Sequence, residues 1–77
     1  MLGYVLISLG SSVDERKIFD QLADLEQVVE ANLLFGEWDI LLKVRCSSPD
    51  DFSTFVLDNV RTLTEVRMTS TMIVAKQ

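Results

Sequence analysis

Four consecutive residues, Gly36-Glu37-Trp38-Asp39, carry the densest chemistry in this 77-residue sequence. A flexible glycine, two carboxylates and a large aromatic meet there, at the tip of what reads as a hairpin. Asp39 opens a run that is otherwise apolar, where an unpaired carboxylate is costly. Near the other end of the chain, Thr69, Ser70 and Thr71 supply three consecutive hydroxyls. Threonine in a strand is ordinarily explained by β-propensity alone. Set beside a carboxylate and exposed turn amides, the same hydroxyls describe a small polar pocket. Asp39 would take an ammonium, and the hydroxyls with backbone N–H groups would take a carboxylate, which is how an amino acid is held. A hydrogen-bonded hairpin tip accounts for the same residues without any ligand, and the residues alone leave both readings open.

Catalytic and metal chemistry have little to work with. The chain has no His, which removes the commonest general base and the commonest zinc ligand. Its one cysteine, Cys46, can form neither an internal disulfide nor a thiolate cage, and at the apolar end of a strand it reads as a small core residue. Ser11 and Ser12 read as turn and cap residues, and Asp50 and Asp51 as acids at the positive end of a helix. Three glycines form no phosphate-binding loop. No catalytic residue, no metal and no cofactor are therefore expected. Seven Lys and Arg against 12 Asp and Glu give a net charge of −5, which disfavours nucleic acid because affinity for phosphate backbones rests on basic side chains. The first nine residues lack the basic start and cleavage site of a leader peptide, and no apolar run nears the roughly 20 residues that span a bilayer. A cytoplasmic protein with a reduced cysteine and no membrane contact is the expectation.

The elements that position these residues follow from periodicity. Leu2 to Leu9 is apolar on both alternating faces, with Leu2, Tyr4 and Leu6 on one and Val5, Ile7 and Leu9 on the other, so it should be a central strand. Ser12 and Glu15 have capping-box spacing, and Ile18, Phe19, Leu22 and Leu25 follow at helical spacing, predicting a helix over 13–24. Residues 27–35 and 38–46 read as strands joined by a two-residue type II′ turn at Gly36-Glu37. Ser48-Pro49-Asp50-Asp51 starts a second helix, whose buried stripe is Phe52, Phe55, Val56, Val60 and Leu63. Residues 66–75 form the last strand, alternating Met68, Ser70, Met72 and Val74 against Arg67, Thr69, Thr71 and Ile73.

The order is βαββαβ, and it repeats internally. Leu25-Glu26-Gln27-Val28 and Leu63-Thr64-Glu65-Val66 sit at the same junction in each half. Two interleaved right-handed βαβ units predict a ferredoxin-like α+β sandwich, a four-stranded antiparallel sheet with both helices on one face. Residues 1–77 make a single domain. Hydrophobic residues are 48% of so small a chain, and the sheet face away from the helices, with apolar residues from the first and second strands, should be covered by another copy. A dimeric, barrel-like assembly is expected.

The stretch Gly36-Glu37-Trp38-Asp39-Ile40-Leu41-Leu42-Lys43-Val44 resembles the Gly-x-aromatic-Asp-aliphatic signature of the ligand-sensing domain of Lrp/AsnC (feast/famine) regulators, often called the RAM domain. Val66-Arg67-Met68-Thr69-Ser70-Thr71-Met72-Ile73-Val74 resembles its last strand, and Leu25 to Ala31 and Tyr4 to Ile7 fit as well, so the match spans the chain. The resemblance implies dimers that pair through their sheets and join into rings, commonly octamers, with amino-acid effectors bound between neighbouring dimers. It places Gly36, Glu37, Trp38 and Asp39 with Thr69, Ser70 and Thr71 at that site, Asp39 toward the ammonium. Trp38 stands where the family usually has Tyr. No helix-turn-helix precedes the first strand, so the expected role is a stand-alone sensor that associates with itself or with full-length regulators, without touching DNA. Two other readings compete: a small ferredoxin-like enzyme of the monooxygenase or muconolactone-isomerase type, and a purely structural assembly domain.

Overall fold

In the computed structural model, which describes residues 1–77, the elements are β1 (Leu2–Leu9), α1 (Glu15–Ala23), β2 (Val28–Leu33), β3 (Ile40–Arg45), α2 (Pro49–Asn59) and β4 (Val66–Ile73). The strands pair antiparallel in the order β2-β3-β1-β4, so the two-sided strand β1 is central, as its pattern requires. Val5, Ile7 and Leu9 of β1 and Ile40, Leu42 and Val44 of β3 face the helices. They meet Ile18 and Leu22 of α1, Phe52, Phe55 and Val56 of α2, and Val60 just beyond it, in one core of 12 buried residues.

The internal repeat is visible in the backbone. Leu25 N–H donates to Leu22 O and Val28 N–H to Leu25 O in the first half. Leu63 N–H donates to Val60 O and Val66 N–H to Leu63 O in the second, the same pattern 38 positions later. Each pair of turns lets a helix reverse onto the next strand while satisfying the carbonyls at its end.

Three local expectations are corrected. The cap of α1 is Asp14, whose carboxylate accepts from Lys17 N–H at 3.2 Å, so the helix starts at Glu15 and Ser12 lies in the preceding turn. Asp caps as well as Ser does, and capping there sets Val13 and Ile18 at the two positions of a hydrophobic staple. The two-residue type II′ turn is absent. β2 stops at Leu33 and β3 begins at Ile40, and Leu34 N–H donates to Asp39 O at 2.8 Å, leaving residues 35–38 as a four-residue tip. Gly36 takes φ +141° in that tip, a left-handed value that favours glycine. Finally, the uncovered sheet face takes Leu2, Tyr4 and Leu6 from β1, Leu41 from β3, and Met68 and Met72 from β4, whereas β2 gives it Glu30 and Asn32. A bulge at Val29 shifts the β2 register by one residue and turns those polar side chains to that face. The cap of α2 is as expected: Ser48 Oγ accepts from Asp51 N–H at 3.1 Å, with Pro49 at the first helical position.

Gly3 fixes how closely α2 approaches the sheet. A Cβ there would lie 2.7 Å from two ring carbons of Phe52 and 3.1 Å from Met72 O. Gly3→Ala is expected to cost about 1–3 kcal/mol through overpacking. Gly10→Ala, whose added methyl meets nothing closer than 3.5 Å, should be nearly neutral. Thermal unfolding of the two variants checks the contrast.

Candidate functional site

Asp39 is held by three hydrogen bonds. Its N–H donates to Ile7 O at 2.9 Å, its carbonyl accepts from Leu34 N–H, and its Oδ2 accepts from Leu9 N–H at 2.7 Å. The ladder between β1 and β3 ends at Ile7 and Ile40, so Leu9 points its N–H at a place where β3 has no carbonyl to offer. The carboxylate supplies that acceptor, as a charge-assisted bond. Asp39 therefore clasps the root of the hairpin to the end of β1, and its Oδ1 has no partner within the chain.

The other predicted residues fall into separate groups. Trp38 is half-buried and lines a cleft of about 380 Å³ with Arg61, Val66, Arg67, Met68 and Thr69. Thr69 and Thr71 pair with Ile7 and Val5, so both lie on the helix side of β4. There they line a second cleft, about 310 Å³, whose other wall is Phe52, Ser53, Val56 and Leu57, with Arg61 again present. Ser70 pairs with Leu6 and lies on the uncovered face, because side chains alternate along a strand. Gly36 and Glu37 are exposed at the hairpin tip and line neither cleft. The chain thus joins Trp38 to Thr69 and Thr69 to Thr71, but leaves the tip and Ser70 apart from them.

Arg61 is the residue that sequence reasoning missed. It lines both clefts and makes no ion pair, since Arg16–Asp20 is the single salt bridge in the chain. The available signal was a basic residue just past the end of α2, two positions after Asn59. Neither cleft contains a carboxylate, so neither offers an acid–base pair for catalysis.

A third cleft, between the end of β3 and α2, gathers Cys46 with Asp51 and Asp58. Burial pushes the Cys46 thiol above its ordinary value, the Asp51 carboxylate adds to that, and the N-terminal ammonium opposes it. A raised value keeps the protonated, unreactive form at neutral pH. No cluster of three metal-ligating side chains occurs.

The family profile described as the Lrp/AsnC ligand binding domain matches residues 3–77. The chain belongs to that family. An uncharacterised HTH-type transcriptional regulator of Pyrococcus horikoshii is 38% identical over 63 residues, covering 82% of this chain and 42% of the regulator. The regulatory protein AsnC of Escherichia coli is 31% identical over 71 residues, 92% of this chain and 47% of AsnC. Its solved structure superposes with a TM-score of 0.88 at 29% identity, covering 99% of this chain and 51% of AsnC. A transcriptional regulator of Neisseria meningitidis, solved as a complex with L-Met, superposes with a TM-score of 0.85 at 26% identity over 99% of this chain and 50% of that one. The chain spans about half the length of the curated relatives it matches. These relatives are transcriptional regulators and the matched part is a ligand-binding domain, not an enzyme.

Two measurements check this geometry. Asp39→Ala strands the Leu9 N–H and is expected to cost about 1.5–3 kcal/mol in urea unfolding. Asp39→Asn retains a carbonyl acceptor and should lose clearly less. Cys46 should alkylate more slowly at pH 7.5 in the folded protein than in urea, because the raised thiol value lowers the thiolate fraction.

Proposed function

We propose that this domain senses a free amino acid and couples its binding to self-association, so tuning transcriptional regulators of its family. The observation that carries the reading is the cleft where Trp38 meets Thr69, in a domain of a ligand-binding family one of whose members was solved with L-Met. The effector binds between copies. Gly36 and Glu37 come from the tip of one copy, and Trp38, Asp39, Thr69 and Thr71 from the other. The free Oδ1 of Asp39 takes the ammonium. Tip N–H groups and threonine hydroxyls take the carboxylate, a set of donors suited to an anion. Trp38 shapes the space left for the ligand side chain.

Copies pair first through the uncovered sheet face, where Leu2, Tyr4, Leu6, Leu41, Met68 and Met72 form an apolar surface. Full-length regulators present the same kind of domain, so mixed assemblies with them are the route to transcription. Effector and assembly are coupled reciprocally: an amino acid that favours one assembly is bound more tightly by it, by the same factor.

Thermal unfolding in the presence of each of the twenty amino acids tests the reading. At a hundredfold excess over the dissociation constant, a ligand bound only by the folded state adds about 2.7 kcal/mol. For a domain this small that raises Tm by at least ~11 °C, since each kcal/mol moves it about 4–8 °C. One amino acid, or a group of related ones, should produce that rise, and Asp39→Asn should abolish it while the fold persists. Indifference to all twenty contradicts the reading.

A further inference from the structure

Two of the chain's seven basic side chains, Arg61 and Arg67, line one cleft of about 380 Å³ together with Trp38. That volume lies within the range of small-molecule sites. No carboxylate lines the cleft, although acids outnumber bases 12 to 7 in the chain as a whole. Neither guanidinium has an ion-pair partner, since the only salt bridge is Arg16–Asp20. Arg67 is oriented by one hydrogen bond, donated to Ser8 Oγ at 3.3 Å, and Ser8 is itself buried near the end of β1. A guanidinium carries five N–H donors in a fixed fork, so most of this one is free for a ligand. The remaining polar side chain of the cleft is Thr69, and Arg61 and Thr69 also line the adjoining cleft beside α2.

We infer that the effector is an acidic amino acid, aspartate or glutamate, whose side-chain carboxylate is held by Arg61 and Arg67. The inference rests on the amino-acid reading and deepens it. In that reading Asp39 takes the ammonium, and N–H groups with threonine hydroxyls take the α-carboxylate, so a neutral amino acid leaves both guanidiniums unanswered. Glu37, arriving from the tip of another copy, balances only one of them, and one positive charge is left for a second carboxylate. Arginine suits that role because its fork matches a carboxylate bidentately. Trp38 and Met68 supply an apolar wall for the methylene groups between the two carboxylates. Closing the cleft around a neutral ligand strips water from an unpaired guanidinium, a penalty that the second carboxylate removes.

Isothermal titration calorimetry with L-glutamate against L-glutamine, and L-aspartate against L-asparagine, compares ligands alike in size and different in charge. At least one acid should bind about tenfold more tightly than its amide, the difference expected when a charged hydrogen-bonding group is answered rather than left bare. Arg61→Gln should largely close that gap, and Arg67→Lys, which keeps the charge and loses the fork, should narrow it. Lys17→Gln removes the same charge at an exposed position outside every cleft and should leave the gap intact. Tighter binding of a neutral amino acid, or an amide equal to its acid, overturns the inference while amino-acid sensing stands. Inorganic phosphate that displaces the acid at equal concentration also overturns it, because the cleft would then read charge alone. An acid preference untouched by both arginine variants places the second carboxylate elsewhere and overturns the assignment. If no amino acid binds at all, the inference falls together with the sensing reading.

Discussion

Two helices can cover only one face of a four-stranded sheet, and most of this molecule follows from that constraint. The covered face is closed: Val5, Ile7, Ile40, Leu42 and Val44 are wholly buried beneath Ile18, Leu22, Phe52 and Phe55. The other face leaves Leu2, Tyr4, Leu6, Leu41, Met68 and Met72 without a layer above them. A chain of 77 residues with no disulfide has little stability to spare. The proposed pairing through that face adds apolar burial against the entropy of association, so that folding and assembly share one driving force.

The second organising feature is the Asp39 clasp. Once its carboxylate replaces a missing ladder carbonyl at Leu9, the root of the hairpin is fixed to the centre of the sheet and the tip is carried beyond it. The same geometry brings Trp38 across the end of β1 to Val66, Met68 and Thr69 of β4. One residue thus holds the fold here and, in the proposed function, also meets the effector. Removing its charge and removing its acceptor are different perturbations, which is why the Ala and Asn variants separate the two roles.

The architecture was legible because it is written in periodicity. Two-sided apolarity put β1 in the centre, and the junctions at Leu25 and Leu63 showed the repeat that the backbone hydrogen bonds bear out. Competition between equivalent local signals was harder to read. Ser12 and Asp14 both can cap, and only packing around Val13 and Ile18 selects Asp14. Gly36-Glu37 satisfies a two-residue turn locally, but the tertiary pull of Asp39 toward β1 lengthens the connection. For the site, strand alternation already implied that Ser70 faces away from Thr69 and Thr71, and reading the three hydroxyls as one cluster ignored it. Arg61 and Leu57 line the cleft beside Thr69 and Thr71 only because α2 lies along β4, a contact that no local pattern announces.

Function is therefore proposed for an assembly, since the single chain holds its tip, its threonines and its apolar face apart. The most direct test is the solution mass by light scattering, with and without a pool of the twenty amino acids. A mass that is an even multiple of the 8.7 kDa chain, larger than a pair and changed by an amino acid, is the predicted result. A stable 8.7 kDa monomer, indifferent to every amino acid, would contradict the account.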